Sequence, residues 1–223
     1  GCKGNLFTHF GEKANQLDLR KELLKRKIRQ KTAEAIGLPF PENAAPFDTD
    51  WRGIQPSTYK KFEAFQSSDP DYIGRVVFPI RDLSGRIVAF IGRHTTGGEP
   101  RYLVTPPKAK LPIYPASDPY KGHLIIVEGI FDVINLWDKG LINASCINGT
   151  KNINEDKLRM LMMRGVSTVD IFMDGDKAGQ DSAEKIKEMC ESVGLESRNI
   201  HLEGRDPGSL TEAEVVKLKT KLY

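Results

Sequence analysis

Five carboxylates in the second half of the chain fall where they could act together. Glu128 closes the apolar run LIIVEG, Asp132 follows four residues on, Asp174 and Asp176 close TVDIFMDGD, and Asp206 follows NIHLEGR. Burying one carboxylate is costly, and two that lie roughly 5 Å apart repel by about 3 kcal/mol at an effective dielectric of ~20. A divalent cation more than cancels that repulsion. Oxygen ligands of this kind favour Mg2+ or Mn2+ over zinc. Alternate residues of an extended segment point the same way, so the Asp-x-Asp spacing aims two carboxylates at one point. Gly175 between them lets the backbone turn tightly and admits a phosphate. Asp176 has a second reading, as the cap of the helix that follows. The chemistry open to such a set is metal-assisted reaction at phosphate.

Such acids need elements that deliver them to one edge. From His123 onward, strands in LIIVEG, NASCING, TVDIFMDGD and RNIHLEG alternate with helices in FDVINLWDKG, residues 154–164 and AGQDSAEKIKEMCESVG. This rhythm predicts a mainly parallel sheet covered on both faces, with ligands bound beyond the carboxyl ends of its strands. Ala183, Ile186, Cys190 and Val193 form one apolar helix face, which makes Cys190 a core residue. Upstream, residues 16–35 read as a helix with seven Lys/Arg between Arg20 and Lys31. The Pro-rich stretch 37–50 reads as a linker or long loop, and PSTYKKFEAF as a short helix. RVVFPI and RIVAFIGR around RDLSG form a hairpin, to which RYLVTPP adds a strand. The expected fold is mixed α/β: a smaller α+β subdomain, then a mainly parallel sheet flanked by helices.

With 223 residues, 39% hydrophobic and 28% charged, the composition suits a globular protein. No apolar run approaches the roughly 18 residues of a membrane span, and the N-terminus has no signal-peptide layout. Cys2, Cys146 and Cys190 are too few and scattered for a disulfide framework, so a reducing cytoplasm is expected. The net charge of +3 is unevenly spread: residues 1–121 carry 20 Lys/Arg against 13 Asp/Glu, and residues 122–207 carry 10 against 15. A basic half beside an acidic half suits a polyanion held next to a metal site.

The ordered set VEGIFD, NGT at 148–150, DGDKAG and then Asp-Pro resembles the Toprim domain, shared by DnaG-type primases, topoisomerases, some nucleases and recombination mediators. The segments WRGIQPSTYKKF and RVVFPIRDLSGRIVAFIGRHTTGGEPRYLVTPP resemble the part of the DnaG-type primase RNA polymerase domain that precedes Toprim. GCKGNLFTHF resembles the end of the primase zinc ribbon. The divisions expected are 1–15, zinc-ribbon remnant and linker; 16–118, N-terminal subdomain; 119–207, Toprim; and 208–223, a C-terminal helix or tail.

This resemblance implies a DNA primase core that makes short RNA primers from ribonucleoside triphosphates on single-stranded DNA, with two or more Mg2+ or Mn2+ ions. It implies Glu128, Asp174 and Asp176 as catalytic residues, and Glu128, Asp132, Asp174, Asp176 and Asp206 as metal ligands. Glu128 is an acid/base group or a ligand. Arg75, Arg93, Arg101, Lys108 and Lys177 are implied on template or nucleotide, with a replicative helicase as partner, no membrane, and the cytoplasm of a bacterial or phage-infected cell as the setting. Two departures stand out. Only Cys2 of a zinc site is present, and a lone cysteine cannot build one, so no structural zinc is expected. Gly208 stands where the primase pattern usually has a second acid after Asp-Pro. The rival readings are another Toprim enzyme, nuclease or topoisomerase, and a non-catalytic DNA-binding module of the recombination-mediator kind. A topoisomerase needs a nucleophilic tyrosine in a further domain, and binding alone needs no acid cluster.

Overall fold

The computed structural model describes residues 36–116 and 122–222; Cys2 and the basic helix expected over 16–35 lie outside them. Runs of β-branched and aromatic residues in the first half form a five-stranded antiparallel sheet, ordered β1 to β5, whose central strands are buried almost throughout. Its strands are β1 (Ala44–Pro46), β2 (Phe65–Ser67), β3 (Arg75–Arg81), β4 (Ile87–His94) and β5 (Tyr102–Thr105). The β3–β4 hairpin forms where RDLSG places it. Asp82 Oδ1 accepts from the Ser84 and Arg86 backbone N–H groups at 2.9 and 3.1 Å, and Gly85 takes φ 81°. The stretch 37–50 is not loop throughout, because β1 lies within it and pairs with β2. β1 is an edge strand, where a proline ends it without breaking a ladder on both sides. Helix α1 (Pro56–Lys61) connects β1 to β2.

The second half forms a four-stranded sheet in the order β7-β6-β8-β9, all pairs parallel. Its strands are β6 (Gly122–Val127), β7 (Ala144–Cys146), β8 (Val166–Ile171) and β9 (Glu196–Asn199). Helices α2 (Ile130–Asp138), α3 (Glu155–Met163) and α4 (Lys177–Val193) are the crossovers, and α5 (Glu212–Leu222) ends the described chain. A strand was expected to run through RNIHLEG. The ladder with β8 instead stops at Asn199, and residues 200–205 turn back so that the Arg205 carbonyl accepts from Gly175 N–H at 2.8 Å.

Alternate residues of β6 feed two cores, to which β8 and Phe172 just beyond it contribute one side each. Leu124, Ile126, Val169 and Ile171 pack with Ala183, Ile186 and Cys190 of α4. Ile125, Val127 and Phe172 pack with α2 and with Phe78 and Ile80 of the antiparallel sheet, so one apolar core joins the two sheets. Each fully buried Ile or Phe contributes about 1.5–3 kcal/mol. A polar tie reinforces the joint: Asp138, at the end of α2, accepts from Gln55 N–H at 3.0 Å and from the Thr58 hydroxyl at 2.7 Å.

One carboxylate in this sheet is structural. Asp170 of β8 is fully buried and takes Arg198 of β9 on both oxygens, at 2.7 and 3.0 Å, with His123 against Oδ2. A buried carboxylate is tolerated only with such partners.

Candidate active site

The acids reach one edge because each strand of the parallel sheet ends in a different way. β6 stops at Val127 and Glu128 follows it, half-buried. Gly129 then caps α2, and Asp132, in the first helical turn, folds back so that its Oδ2 accepts from Gly129 N–H at 2.8 Å. A carboxylate at a helix N-terminus is favoured by the helix dipole. Beyond β8, Phe172 and Met173 stay fully buried and the chain emerges at Asp174. Asp176 is the N-cap of α4, its Oδ1 accepting from Gly179 N–H at 2.8 Å. Both sequence readings of Asp176 are therefore compatible, since capping uses one oxygen and leaves the other open. Asp206 opens a short 3-10 turn over Pro207–Ser209 and makes no side-chain cap there.

Two glycines set the spacing. A Cβ on Gly179 would fall 2.2 Å from the Asp174 carbonyl oxygen, so only glycine lets α4 start so close to Asp174. A Cβ on Gly175 would fall 2.1 Å from the Leu202 carbonyl oxygen and 2.7 Å from that of Arg205. Gly175 was expected to leave room for a phosphate. Its open side is filled instead by the 202–205 backbone, which carries Asp206 toward the Asp-x-Asp pair.

The acids share one electrostatic field. Burial pushes the Glu128 carboxyl above its ordinary range, and Asp174 and Asp176 push it further. Burial likewise raises Asp174, with Asp206 and Asp176 adding to it. Asp132 keeps a partly open surface, but its carboxyl is enclosed. Burial raises it to about 7, against the pull of the Gly129 hydrogen bond and with the push of Asp174, Asp206 and Glu128. All five expected acids are thus linked through repulsion. Among the described residues, no three His, Cys, Asp or Glu side chains converge tightly enough to close around an ion. The donor set is made of hard oxygens with excess negative charge, and it fits a divalent cation of the Mg2+ or Mn2+ kind.

The expected basic residues do not gather as one group. Arg93 is paired with Val76 and Tyr102, whereas Arg75 is paired with His94. Facing residues share a face and neighbours alternate, so Arg75 and Arg93 lie on opposite faces of the antiparallel sheet. The register thus gives the two arginines separate placements. The Arg75 side chain lies across Gly92, where a Cβ would be 3.1 Å from its Cδ. Arg93 faces the parallel sheet, 8% exposed, with its guanidinium 4.6 Å from the Tyr102 ring centre and 5.8 Å from that of Phe131. Its Nε has no hydrogen-bond partner. Arg101 and Lys108 are exposed on either side of β5. Lys177 is exposed and pairs with Asp181 at 2.8 Å rather than leaning toward Asp176.

Sequence reasoning missed Arg52 and Phe131. The Arg52 guanidinium lies 5.4 Å from the Phe131 ring centre and 5.9 Å from that of Trp51. Its backbone takes φ 59°, a left-handed conformation uncommon outside glycine. Phe131 directly precedes Asp132, so a chain of cations and aromatic rings runs from β5 to the first turn of α2. The only sequence signal was Trp51 beside Arg52 in a loop.

Residues 7–111 match the family described as DNA primase catalytic core, N-terminal domain, and residues 125–210 match the family described as Toprim-like. A DNA primase of Pseudomonas putida is 38% identical over 156 residues, which is 63% of this chain and 23% of that protein. The crystal structure of a DNA primase domain from Pseudomonas aeruginosa is 30% identical with a TM-score of 0.53, covering 82% of this chain and 64% of that one. A DnaG primase catalytic domain bound to ssDNA is 23% identical with a TM-score of 0.62, covering 77% and 68%, a likeness of fold. The chain spans about a quarter of the length of the first curated relatives it matches. Among the described residues no helix is long and apolar enough to cross a membrane.

Proposed function

The chain belongs to the DnaG-type DNA primases by both of its halves, and on that premise we propose that it is a primase catalytic core. It joins ribonucleotides into short RNA primers on single-stranded DNA, with Mg2+ or Mn2+. The observation that carries this reading is the set of acids at the carboxyl edge of the parallel sheet. Burial and mutual repulsion raise Glu128, Asp132 and Asp174 there. Perturbed groups of one sign at a sheet edge mark a functional site.

Asp174, Asp176 and Asp206 are the ligands assigned, with Asp132 at the rim. When bound, two or more such ions would hold a nucleoside triphosphate, lower the pKa of the attacking 3′-hydroxyl and stabilise the leaving pyrophosphate. Glu128 completes the ligand set or accepts the hydroxyl proton. Its raised pKa brings its basicity nearer to working pH. Arg93 presents a desolvated guanidinium to nucleotide or template phosphate, steadied by Tyr102 and Phe131, and Arg52 continues that surface. Arg101 and Lys108 add exposed phosphate contacts. Lys177 can exchange its exposed pair with Asp181 for a phosphate at little cost. Arg75, on the other sheet face, stands outside this surface.

Single-stranded template is supported by the relative whose structure is bound to ssDNA. A replicative helicase is the partner a whole primase would serve. The bacterial or phage-infected cytoplasm is the setting that suits two free, buried cysteines, Cys146 and Cys190.

The test is primer synthesis on single-stranded template with labelled ribonucleotides and Mn2+ or Mg2+, comparing the protein with Asp174→Ala. Short RNA products lost in the variant are expected. Metal-dependent cutting of the template in their place would move the reading to a Toprim nuclease. DNA binding with neither activity would favour a binding module.

A further inference from the structure

Asn135 is a polar side chain in an apolar helix face, and it is 2% exposed. It sits on α2 one turn beyond Asp132. Its Nδ2 donates to the carbonyls of Pro207, at 2.8 Å, and Leu210, at 3.1 Å, and its Oδ1 accepts from Lys139 Nζ at 2.5 Å. Both donors of one buried amide are thus directed at a turn more than 70 residues away.

That turn carries Asp206. It lies between β9 and α5, outside any ladder, and its first residue, Pro207, has no N–H to hold it. Gly208 in the same turn lies directly over Asp132, where a Cβ would be 2.6 Å from Asp132 Oδ1 and 3.3 Å from Asp206 Oδ1. Two carboxylates that repel are therefore brought to either side of one glycine. Repulsion alone would drive the turn away from α2. The two Asn135 donors oppose that drift, and they anchor the turn to the helix that bears Asp132.

We propose that Asn135 is a positioning residue for Asp206: through the Pro207–Leu210 turn it fixes the Asp206 carboxylate against Asp132, and so sets the affinity of the acidic edge for divalent cations. This rests on the reading of that edge as a cation site. Asn135 touches no substrate and does no chemistry. Groups that orient metal ligands typically change affinity by about 10–100-fold when removed.

The experiment is direct titration of Mn2+ alone into four proteins: unaltered, Asn135→Leu, Asp206→Ala, and both together, each with its thermal melt recorded. Asn135→Ser is carried alongside, since it stays polar and small but cannot span both carbonyls. The expected result is Mn2+ binding weakened at least tenfold by Asn135→Leu and by Asn135→Ser, with Asn135→Leu adding nothing in the Asp206→Ala background. Unchanged Mn2+ affinity in folded Asn135→Leu or Asn135→Ser overturns the proposal. An equal further loss in the Asp206→Ala background also overturns it, because Asn135 would then act on the fold at large. If the unaltered protein takes up no Mn2+, or Asp206→Ala leaves its affinity untouched, the cation-site reading itself fails and the inference falls with it.

Discussion

The Asp132 carboxylate occupies the space that a side chain at position 208 would need: a Cβ on Gly208 would fall 2.6 Å from Oδ1. The acid on α2 and a side chain in the turn from β9 would compete for that space, and the clash is with the movable end of the Asp132 side chain rather than with backbone.

Gly208→Ala is therefore expected to displace Asp132 rather than unfold the protein, because a carboxylate end can rotate. Primer synthesis and Mn2+ affinity should each fall by tenfold or more, with the melting temperature lowered by only a few degrees. Steady-state assays beside a thermal melt check this. Full activity would show that Asp132 has no part at the site.

Asp132 gives the metal-free protein a pH signature. Its carboxyl lies at about 7 in the fold against an ordinary 3.8, so the folded chain holds a proton that the unfolded chain has lost. Stability then falls as pH rises from about 4 to about 7 and levels off above, as linkage requires. Glu128 and Asp174, raised in the same direction, add to the fall. In EDTA the protein should be less stable at pH 8 than at pH 6, and Mn2+ should restore more stability at pH 8. Asp132→Asn should be the more stable protein at pH 8 without metal and gain less from Mn2+. Denaturant unfolding of the two proteins at both pH values, compared by difference, isolates this group from the histidines.

Gly175→Ala is a different case, since the atoms it meets are backbone. The Leu202 and Arg205 carbonyl oxygens at 2.1 and 2.7 Å cannot rotate away. Overpacking of this kind costs about 3 kcal/mol. It also pushes the turn leading to Asp206 off the Asp-x-Asp pair. Urea unfolding should show the loss of stability and Mn2+ titration the loss of affinity; a variant normal in both would contradict the packing described.

Arg93→Lys should weaken nucleotide or template binding about tenfold while leaving Mn2+ affinity alone. A lysine keeps the charge but lacks the flat guanidinium that lies against Tyr102 and Phe131. Fluorescence anisotropy with single-stranded DNA at several salt concentrations measures it. The same change at Arg75, on the opposite sheet face, should have little effect, and an equal loss there would refute the separation of the two arginines.

The acids at the strand ends, the hairpin at RDLSG and the βα alternation after His123 were legible in the sequence because each is written in local periodicity. A run of apolar residues ending in Glu128 or Asp174 needs no partner to be read as a buried strand that surfaces at an acid. Asp176 as a helix cap is likewise a matter of the next three residues.

What the tertiary structure alone decided is which residues meet. Asp170 and Asp174 lie four apart with similar neighbours in sequence, yet one is neutralised inside the sheet by Arg198 and the other opens onto the site. Arg75 and Arg93 look alike until strand register sends them to opposite faces. β1 pairs with β2 across a helix, and Asn135 reaches a turn more than 70 residues away. Such contacts follow from how the two sheets share one core and how closely backbones approach at Gly175 and Gly208. The sequence by itself determined the chemistry available, because residue types and local periods carry it. Packing determined which of those residues stand within reach of one another, because that depends on register and on space left by glycine, which no single stretch of chain encodes.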